Sequence, residues 1–513
     1  MDISSNQPQN GLKGLKYWRS DILAGFMVAM ISTPFSIGIA VASGAPPVTG
    51  LISAIIAGFV LPFLGGSFVT ISGPAAGLAP VLYNSMLSLG AGSLAVGYPL
   101  LLPVILVAGC IQILISLFKV ARFSSIFPIA VVEGMLAAIG MLIIVKQLPI
   151  LLGHKYLAHE FWGMVQETPH EILLANPKVL AIGIFTLALI FVIAAAFKNQ
   201  KWIKVVPPSM IAVVIASIVA IFVHISPEFF INIPANPLHG ITLPDFHGLM
   251  RSPHLWESAL MIAVVLTLID GIESLATIKA IDRIDPYKRK SDPDKTLFAM
   301  GVSNVCSSML GGLTIIPGGV KSTANIMAGG KTQWANFYNA SFLLIFMLLF
   351  RPIINSLPLA VLAAVLVYTG YKLCNPFVWY KIWKNGKDQF ALFSFTALLT
   401  ISTDLMVGII GGVLLSLALN YISISYRTKG IRNPLELFKN PVISSTNIED
   451  KVELFINRPL TSFNLIHLQN EIDKVDPSLM QLKLGPKVSL IEHTAEEYLN
   501  PLMEALDEQV VAN

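Results

Sequence analysis

Charge is what this sequence has least of. Only 12% of its 513 residues are Asp, Glu, Lys or Arg, about half the share of an average soluble domain, which excludes a solvated globular surface. Cysteine is scarce too. Cys110, Cys306 and Cys374 lie in or beside apolar stretches, without CxxC or metal-ligand spacing; they read as small buried hydrophobes, not as a disulfide framework or a zinc module. GxSxG, HExxH and paired aspartates on separate spans are all missing, so no enzyme and no resident cofactor is expected. A cleavable leader is not expected either: residues 1–20 are polar, and the first apolar block reads as a retained span. The net charge of +4 points to no nucleic-acid partner, because the placement of the charges matters more than their sum.

What the chain has in abundance is apolar sequence. It is 54% hydrophobic with a mean hydropathy of +0.71, and the apolar residues fall in blocks of about 17 to 25, the length that crosses a bilayer as a helix. The expectation is an all-α polytopic membrane protein. Candidate spans lie near 22–43, 48–64, 73–89, 100–118, 129–148, 178–197, 205–224, 255–279, 295–311, 319–328, 333–350, 352–373, 388–405 and 406–425. Lys13, Lys16 and Arg19 precede the first span. Lys119 with Arg122, then Lys198, Lys201 and Lys204, then the basic residues from Lys279 to Lys295, and finally Lys372 to Lys387 follow even-numbered spans. The alternation supports the count of fourteen and places both termini in the cytoplasm. Three regions follow: a cytoplasmic N-terminus (1–20), a transmembrane region (21–425, with repeats near 21–224 and 255–425) and a polar tail (426–513). In the tail, "VELFI" reads as a strand and "SFNLIHLQNEIDKV" as a helix. "KVSLIEHTAEEYLNPLMEALDEQ" reads as a strand followed by an amphipathic helix, giving a small α/β tail.

Two spans are interrupted. "GGLTIIPGGVKSTANIMAGGKT", residues 311–332, holds six glycines, Pro317 and the cation Lys321. "GGSFVTISGPAAGLAPVLYNSM", residues 65–86, has the same order: Gly-Gly, β-branched residues, Gly/Pro, then a helical run. Each sits at the third span of a seven-span half. Interrupted segments at corresponding places in two halves point to a transporter's midplane site. Extended residues there need partners from protein or from a water-filled cavity. Half-helices starting at mid-depth present unpaired N–H groups and positive dipole ends, which suits an anion. Gly318 and Gly319 let the backbone approach a ligand, and Pro74 suits a first helical turn.

The eighth span, "LTLIDGIESLATIKAID", carries Asp270, Glu273 and Thr277 on one face. Ionisable groups inside a span mark ion pathways or relays; a carboxylate with a hydroxyl one turn away could hold Na⁺ or carry a proton. A structural ion pair with Lys321 is the plain alternative. Glu133 is a weaker candidate near the start of the fifth span.

With "TPFSIGIAVASGAPPVTGL", "TISGPAAG", "GIESL" and "GGVKSTANIMAGGKT" in this order and spacing, the chain resembles the sulfate permease family of anion transporters, related to the animal solute-carrier anion exchangers. The resemblance covers about residues 15–425. It implies a seven-plus-seven inverted repeat with core and gate domains, a homodimer and elevator-like alternating access. It also implies an anion site at Phe35 and Ser36, Ala75 and Ala76, and Gly319, Val320 and Lys321, where family members usually carry Arg at the last position. Glu273 matches the family's carboxylate position; sodium-coupled bicarbonate members have Asp there and Thr one turn later, so Glu273 with Thr277, and Asp270 nearby, leaves Na⁺ or H⁺ open. The tail resembles a shortened, degenerate STAS domain (sulfate transporter and anti-sigma-factor antagonist). A bacterial inner-membrane secondary transporter of bicarbonate is the first expectation, with sulfate second and a dicarboxylate or chloride third. An uncoupled anion channel, or a nucleobase carrier of the same architecture, would be a different class.

Overall fold

The computed structural model describes residues 7–119, 127–197, 206–233, 241–428 and 437–500, apart from a few positions inside those ranges. Arg122, Lys198, Lys201 and Lys204 lie outside the described residues.

A helix occupies each of the fourteen candidate spans. In chain order these are α1 (Trp18–Ala42), α2 (Pro47–Leu64), α3 (Ala79–Leu89), α4 (Leu94–Leu117), α5 (Ile129–Leu152), α6 (Pro177–Ala196) and α7 (Pro208–Val223). The second series is α8 (Pro253–Ile284), α9 (Pro293–Met309), α10 (Gly319–Met327), α11 (Trp334–Leu349), α12 (Leu359–Leu373), α13 (Lys387–Ser402) and α14 (Leu405–Thr428). Among the described residues, eight helices are long and apolar enough to cross a membrane, while Pro208–Val223 and Trp334–Leu349 are shorter apolar helices. The third and tenth helices are the short ones, 11 and 9 residues long. Each follows a three-residue strand, β1 (Ser72–Pro74) and β2 (Ile315–Pro317).

Small residues set the close approaches between helices, as they do where packing rather than water drives association. Gly109 on α4 and Gly301 on α9 lie against each other's carbonyls, and Gly58 on α2 lies against the Asn336 carbonyl on α11. An added Cβ at any of these would fall within 2.8 Å of backbone. The buried apolar core runs through Leu51, Ala54, Leu61, Met300, Ile315 and Leu343. Not every basic residue of the 279–295 segment is a free charge: Arg289 is buried, with Nε donating to Asp285 at 2.7 Å.

The chain divides into two compact units, residues 1–121 with 139–373 and residues 122–138 with 374–513. The last two helices thus group with the tail, not with the spans before Leu373. Polar contacts within the second unit join its tail to residues near Ile129 and between Lys381 and Asn385. Ile129 N–H donates to Thr494 Oγ1 at 3.1 Å, Lys381 Nζ to Glu497 Oε1 at 3.2 Å, and Asn385 Nδ2 lies 2.6 Å from His493 Nε2.

In the tail, β3 (Val442–Ile448) and β4 (Lys451–Ile456) form an antiparallel hairpin, and β5 (Met480–Leu484) joins β4 in parallel. A helix, α15 (Leu465–Ile472), packs its Leu465, Leu468 and Ile472 against the sheet residues Leu454, Ile456 and Met480. The expected strand at "VELFI" and the helix after it are present. The strand expected from "KVSLIE" is not: that stretch makes one isolated bridge, Leu460 to Ile491. Met480–Leu484 takes the place beside β4 instead, leaving the later stretch a bridge to the Leu460 loop; the helix that follows runs over 493–500.

His493 and Lys381 around Glu497 hold its carboxyl down at about 2, and Glu497 in turn raises the His493 imidazole. The Glu497 contribution is complete above its ordinary value near 4.5 and is lost as pH falls toward 2. The His493 contribution is complete below its ordinary 6.5 and is lost as pH rises through the raised value, by linkage. Hydrogen exchange of the 493–500 segment should therefore be slowest, after correction for intrinsic rates, between about 4.5 and 6.5. A flat protection profile across these ranges would show that the cluster holds nothing.

Candidate anion and coupling site

The two chain breaks solve one problem together. Leaving an N–H or C=O unpaired away from water costs roughly 1–3 kcal/mol, and each break exposes several. β1 and β2 pair antiparallel, Ser72 with Pro317, Gly73 with Ile316 and Pro74 with Ile315. Beyond the pair, Ala75 N–H donates to the Thr314 carbonyl at 3.1 Å and Gly318 N–H to the Ile71 carbonyl at 2.8 Å. Side chains take the rest. Ser322 Oγ accepts from Ile71 N–H, and Asn325 Nδ2 donates to the Val69 carbonyl at 2.8 Å. Asn336 accepts from Ser72 N–H and donates to the Thr70 carbonyl at 2.6 Å. On the other strand, Asn304 Oδ1 accepts from Ile315 N–H at 2.6 Å and Ser53 Oγ from Leu313 N–H at 2.7 Å. None of these side chains stood out in the sequence. The available signal was their polarity inside apolar spans, where each needs a partner.

This crossing fixes where α3 and α10 begin. The first N–H groups of α10, from Gly319, Val320 and Lys321, precede the first helical bond and have no intrahelical acceptor. A Cβ added at Gly319 would meet nothing within 4 Å, so the helix start opens onto free space. α1 packs against α3, β1 and α10, and α8 packs against α3, β2 and α10. Pro34 removes one helical N–H from the middle of α1 just before Phe35 and Ser36, both buried. Ala75 is buried and Ala76 half-buried, in the turn leading into α3.

Lys321 is 4% exposed and its Nζ donates to Ser36 Oγ at 3.1 Å. The ammonium also lies over Gly73, where an added Cβ would sit 2.6 Å from Nζ. Among the described residues no carboxylate forms an ion pair with it; the pairing with Glu273 considered from sequence is not made. Glu273 lies instead against Gly77, whose added Cβ would fall 2.5 Å from Oε2, and that oxygen has no hydrogen-bond partner among the described residues. Thr277 follows Glu273 by one turn of α8. Asp270 shares that helix but turns to different neighbours. Its Oδ2 accepts from Gln112 Nε2 and Asn304 Nδ2, both at 3.0 Å. Glu133 belongs to the other compact unit.

The arrangement is that of a membrane carrier built on two interrupted helices, whose broken ends meet between an unmatched cation and an unmatched carboxylate. Residues 18–396 match the sulfate permease family, and the chain belongs to it. Relatives include YvdB of Bacillus subtilis, which carries a sulfate-transporter name and is 26% identical across 96% of this chain and 90% of its own length. The bicarbonate transporter BicA of a Picosynechococcus species is 28% identical across 77% of this chain and 69% of its own. The solved transmembrane domain of a cyanobacterial BicA superposes with a TM-score of 0.66 at 25% identity, covering 77% of this chain and 97% of that one. SLC26A9 shares the fold at a TM-score of 0.68 and 18% identity, over 96% and 83% of the two chains. These relatives are transporters, not enzymes.

Asn336→Leu should strand the Ser72 N–H and the Thr70 carbonyl together, lowering stability by on the order of 2–4 kcal/mol. The loss would appear as a lower midpoint in detergent thermal unfolding. A midpoint equal to wild type would mean the break does not depend on this residue.

Proposed function

We propose that this chain is a secondary transporter of a small inorganic anion, bicarbonate first, bound where α3 and α10 begin. The observation that carries the reading is the buried Lys321 ammonium, which among the described residues has a serine hydroxyl and no carboxylate as partner. A buried cation at a helix N-terminus is disfavoured by desolvation and by the helix dipole. A bound anion offsets both, and also meets the free N–H groups of Gly319 and Val320. Ser36 and Phe35 on α1, with Ala75 and Ala76 before α3, form the other side of this site. Glu273, Thr277 and Asp270 take the coupling ion: the Glu273 oxygen, unpartnered among the described residues, either accepts a proton or joins the Thr277 hydroxyl around Na⁺, and Asp270, whose Oδ1 is likewise unpartnered among them, stands beside it while its Oδ2 ties α8 to α4 and α9. The fourteen helices are read as spans in a seven-plus-seven inverted repeat with core and gate, working as a homodimer by elevator-like movement. The setting is a bacterial inner membrane with both termini cytoplasmic, and the tail is a shortened STAS-like domain. Support for bicarbonate comes from the BicA relatives and the BicA fold match. Sulfate is the second reading, favoured by the relative named for sulfate transport that matches along almost the whole chain.

Calorimetric titration of bicarbonate and of sulfate into purified protein tests the anion site. Lys321→Gln should weaken the bound anion roughly tenfold or more, the worth of a hydrogen bond to a charged group. Lys321→Arg should keep most of the affinity. Equal affinity in Lys321→Gln, or its recovery in Lys321→Gln with Glu273→Gln, would remove Lys321 from the anion site.

Glu273→Gln keeps the shape and removes the charge. In proteoliposomes loaded with labelled anion it should abolish the dependence of uptake on a Na⁺ or pH gradient while leaving anion affinity within about threefold. Thr277→Val should weaken the Na⁺ dependence if Na⁺ is the coupled ion. Uptake by Glu273→Gln that still follows either gradient would make the carboxylate structural.

A further inference from the structure

A second cavity lies away from the strand crossing, at the end of the bundle where α1 and α5 finish and α4 starts. Its volume is about 340 Å³, and its walls include Tyr83, Leu94, Lys146, Gln147, Tyr156 and Met164. Two polar side chains face it without a charged partner among the described residues. Lys146 Nζ donates to Asn84 Oδ1 at 2.7 Å and lies 4.4 Å from the centre of the Tyr83 ring. Both partners are neutral, and among the described residues no carboxylate forms an ion pair with this lysine. The ring and the amide oxygen orient the ammonium at the solvent-reached mouth of the cavity, where it meets no opposite charge among the described residues. Gln147, the next residue along α5, is 2% exposed. No hydrogen bond joins its amide to another described residue, so its N–H is available to a ligand that enters the cavity. The rest of the wall is apolar. Tyr156 spends its hydroxyl on Thr168 Oγ1 at 3.1 Å and offers the cavity its ring.

We infer that this cavity is a binding site for a small organic monocarboxylate with a compact apolar body, separate from the anion site at α10. The size and the balance of lining match ligand pockets: mainly apolar walls with a few polar groups that fix orientation. A bare inorganic oxyanion would satisfy Lys146 but leave the apolar walls uncovered, and a neutral apolar molecule would leave the ammonium unmatched. A carboxylate meets Lys146 with one oxygen and the Gln147 amide N–H with the other, while its hydrocarbon part covers Leu94, Met164 and the two tyrosine rings. The inference does not rest on which ion the protein transports, because occupancy is read by binding and not by uptake.

The test is calorimetric titration of cyclohexanecarboxylate into the purified full-length chain, with cyclohexylmethanol as the uncharged counterpart of the same shape. The acid should bind saturably and the alcohol at least about tenfold more weakly. Lys146→Gln should weaken the acid by roughly tenfold or more, and Lys146→Arg, which restores the charge, should return it to within about threefold. Lys321→Gln should leave this binding unchanged. The inference is overturned if wild type shows no saturable binding, if acid and alcohol bind alike, or if Lys146→Gln binds the acid as wild type does. It is equally overturned if Lys321→Gln, not Lys146→Gln, abolishes binding, since that would place the carboxylate at the strand crossing.

Discussion

The antiparallel pairing of Ser72–Pro74 with Ile315–Pro317 is the constraint on which the central site depends. A helix broken inside a bilayer has backbone groups that lipid cannot satisfy. Two breaks brought side by side satisfy part of each other, and the remainder falls to Ser53, Asn304, Ser322, Asn325 and Asn336. These side chains come from α2, α9, α10 and α11, so the crossing ties together helices that are distant in sequence. Only once the breaks are held this way can α3 and α10 begin inside the bundle, and at α10 the helix start opens onto free space at Gly319.

Charge follows from that geometry. Lys321 lies three positions into α10, close enough to the helix start for its charge to oppose the dipole, and buried enough for its desolvation to matter. Glu273 could have neutralised it, but each lies against a different glycine of the first break, Lys321 at Gly73 and Glu273 at Gly77. Kept apart, the two groups remain without an ion-pair partner among the described residues, which is what the proposed anion and coupling-ion roles require. Had they formed a close ion pair, each would have satisfied the other and left little reason for an ion to enter.

Much of this was legible in the sequence, and the reasons are local. Most of the long helices follow from apolar run length, and the paired breaks follow from clustered glycine and proline at matching places. What stayed hidden depends on neighbours that are remote in sequence. Asp270 and Glu273 look like one face of α8, yet three residues fall about 60° short of a full turn. That is enough for Asp270 to reach Gln112 and Asn304 while Glu273 reaches Gly77. Asn304 and Asn336 gave no pattern of their own: Asn336 bonds backbone of the remote first break, and Asn304 joins the Ile315 N–H to Gln112 and Asp270 on other helices. In the tail, "KVSLIE" has the composition of a strand, but Met480–Leu484 holds the edge of β4, and composition does not decide between two such claimants.

The most direct measurement of the central claim is anomalous diffraction from crystals soaked in bromide, a singly charged anion like bicarbonate. A peak within hydrogen-bond distance of the Gly319 and Val320 N–H groups, beside Lys321 and lost in Lys321→Gln crystals, is the result this account predicts. Ordered bromide elsewhere, with none at the start of α10, would contradict it.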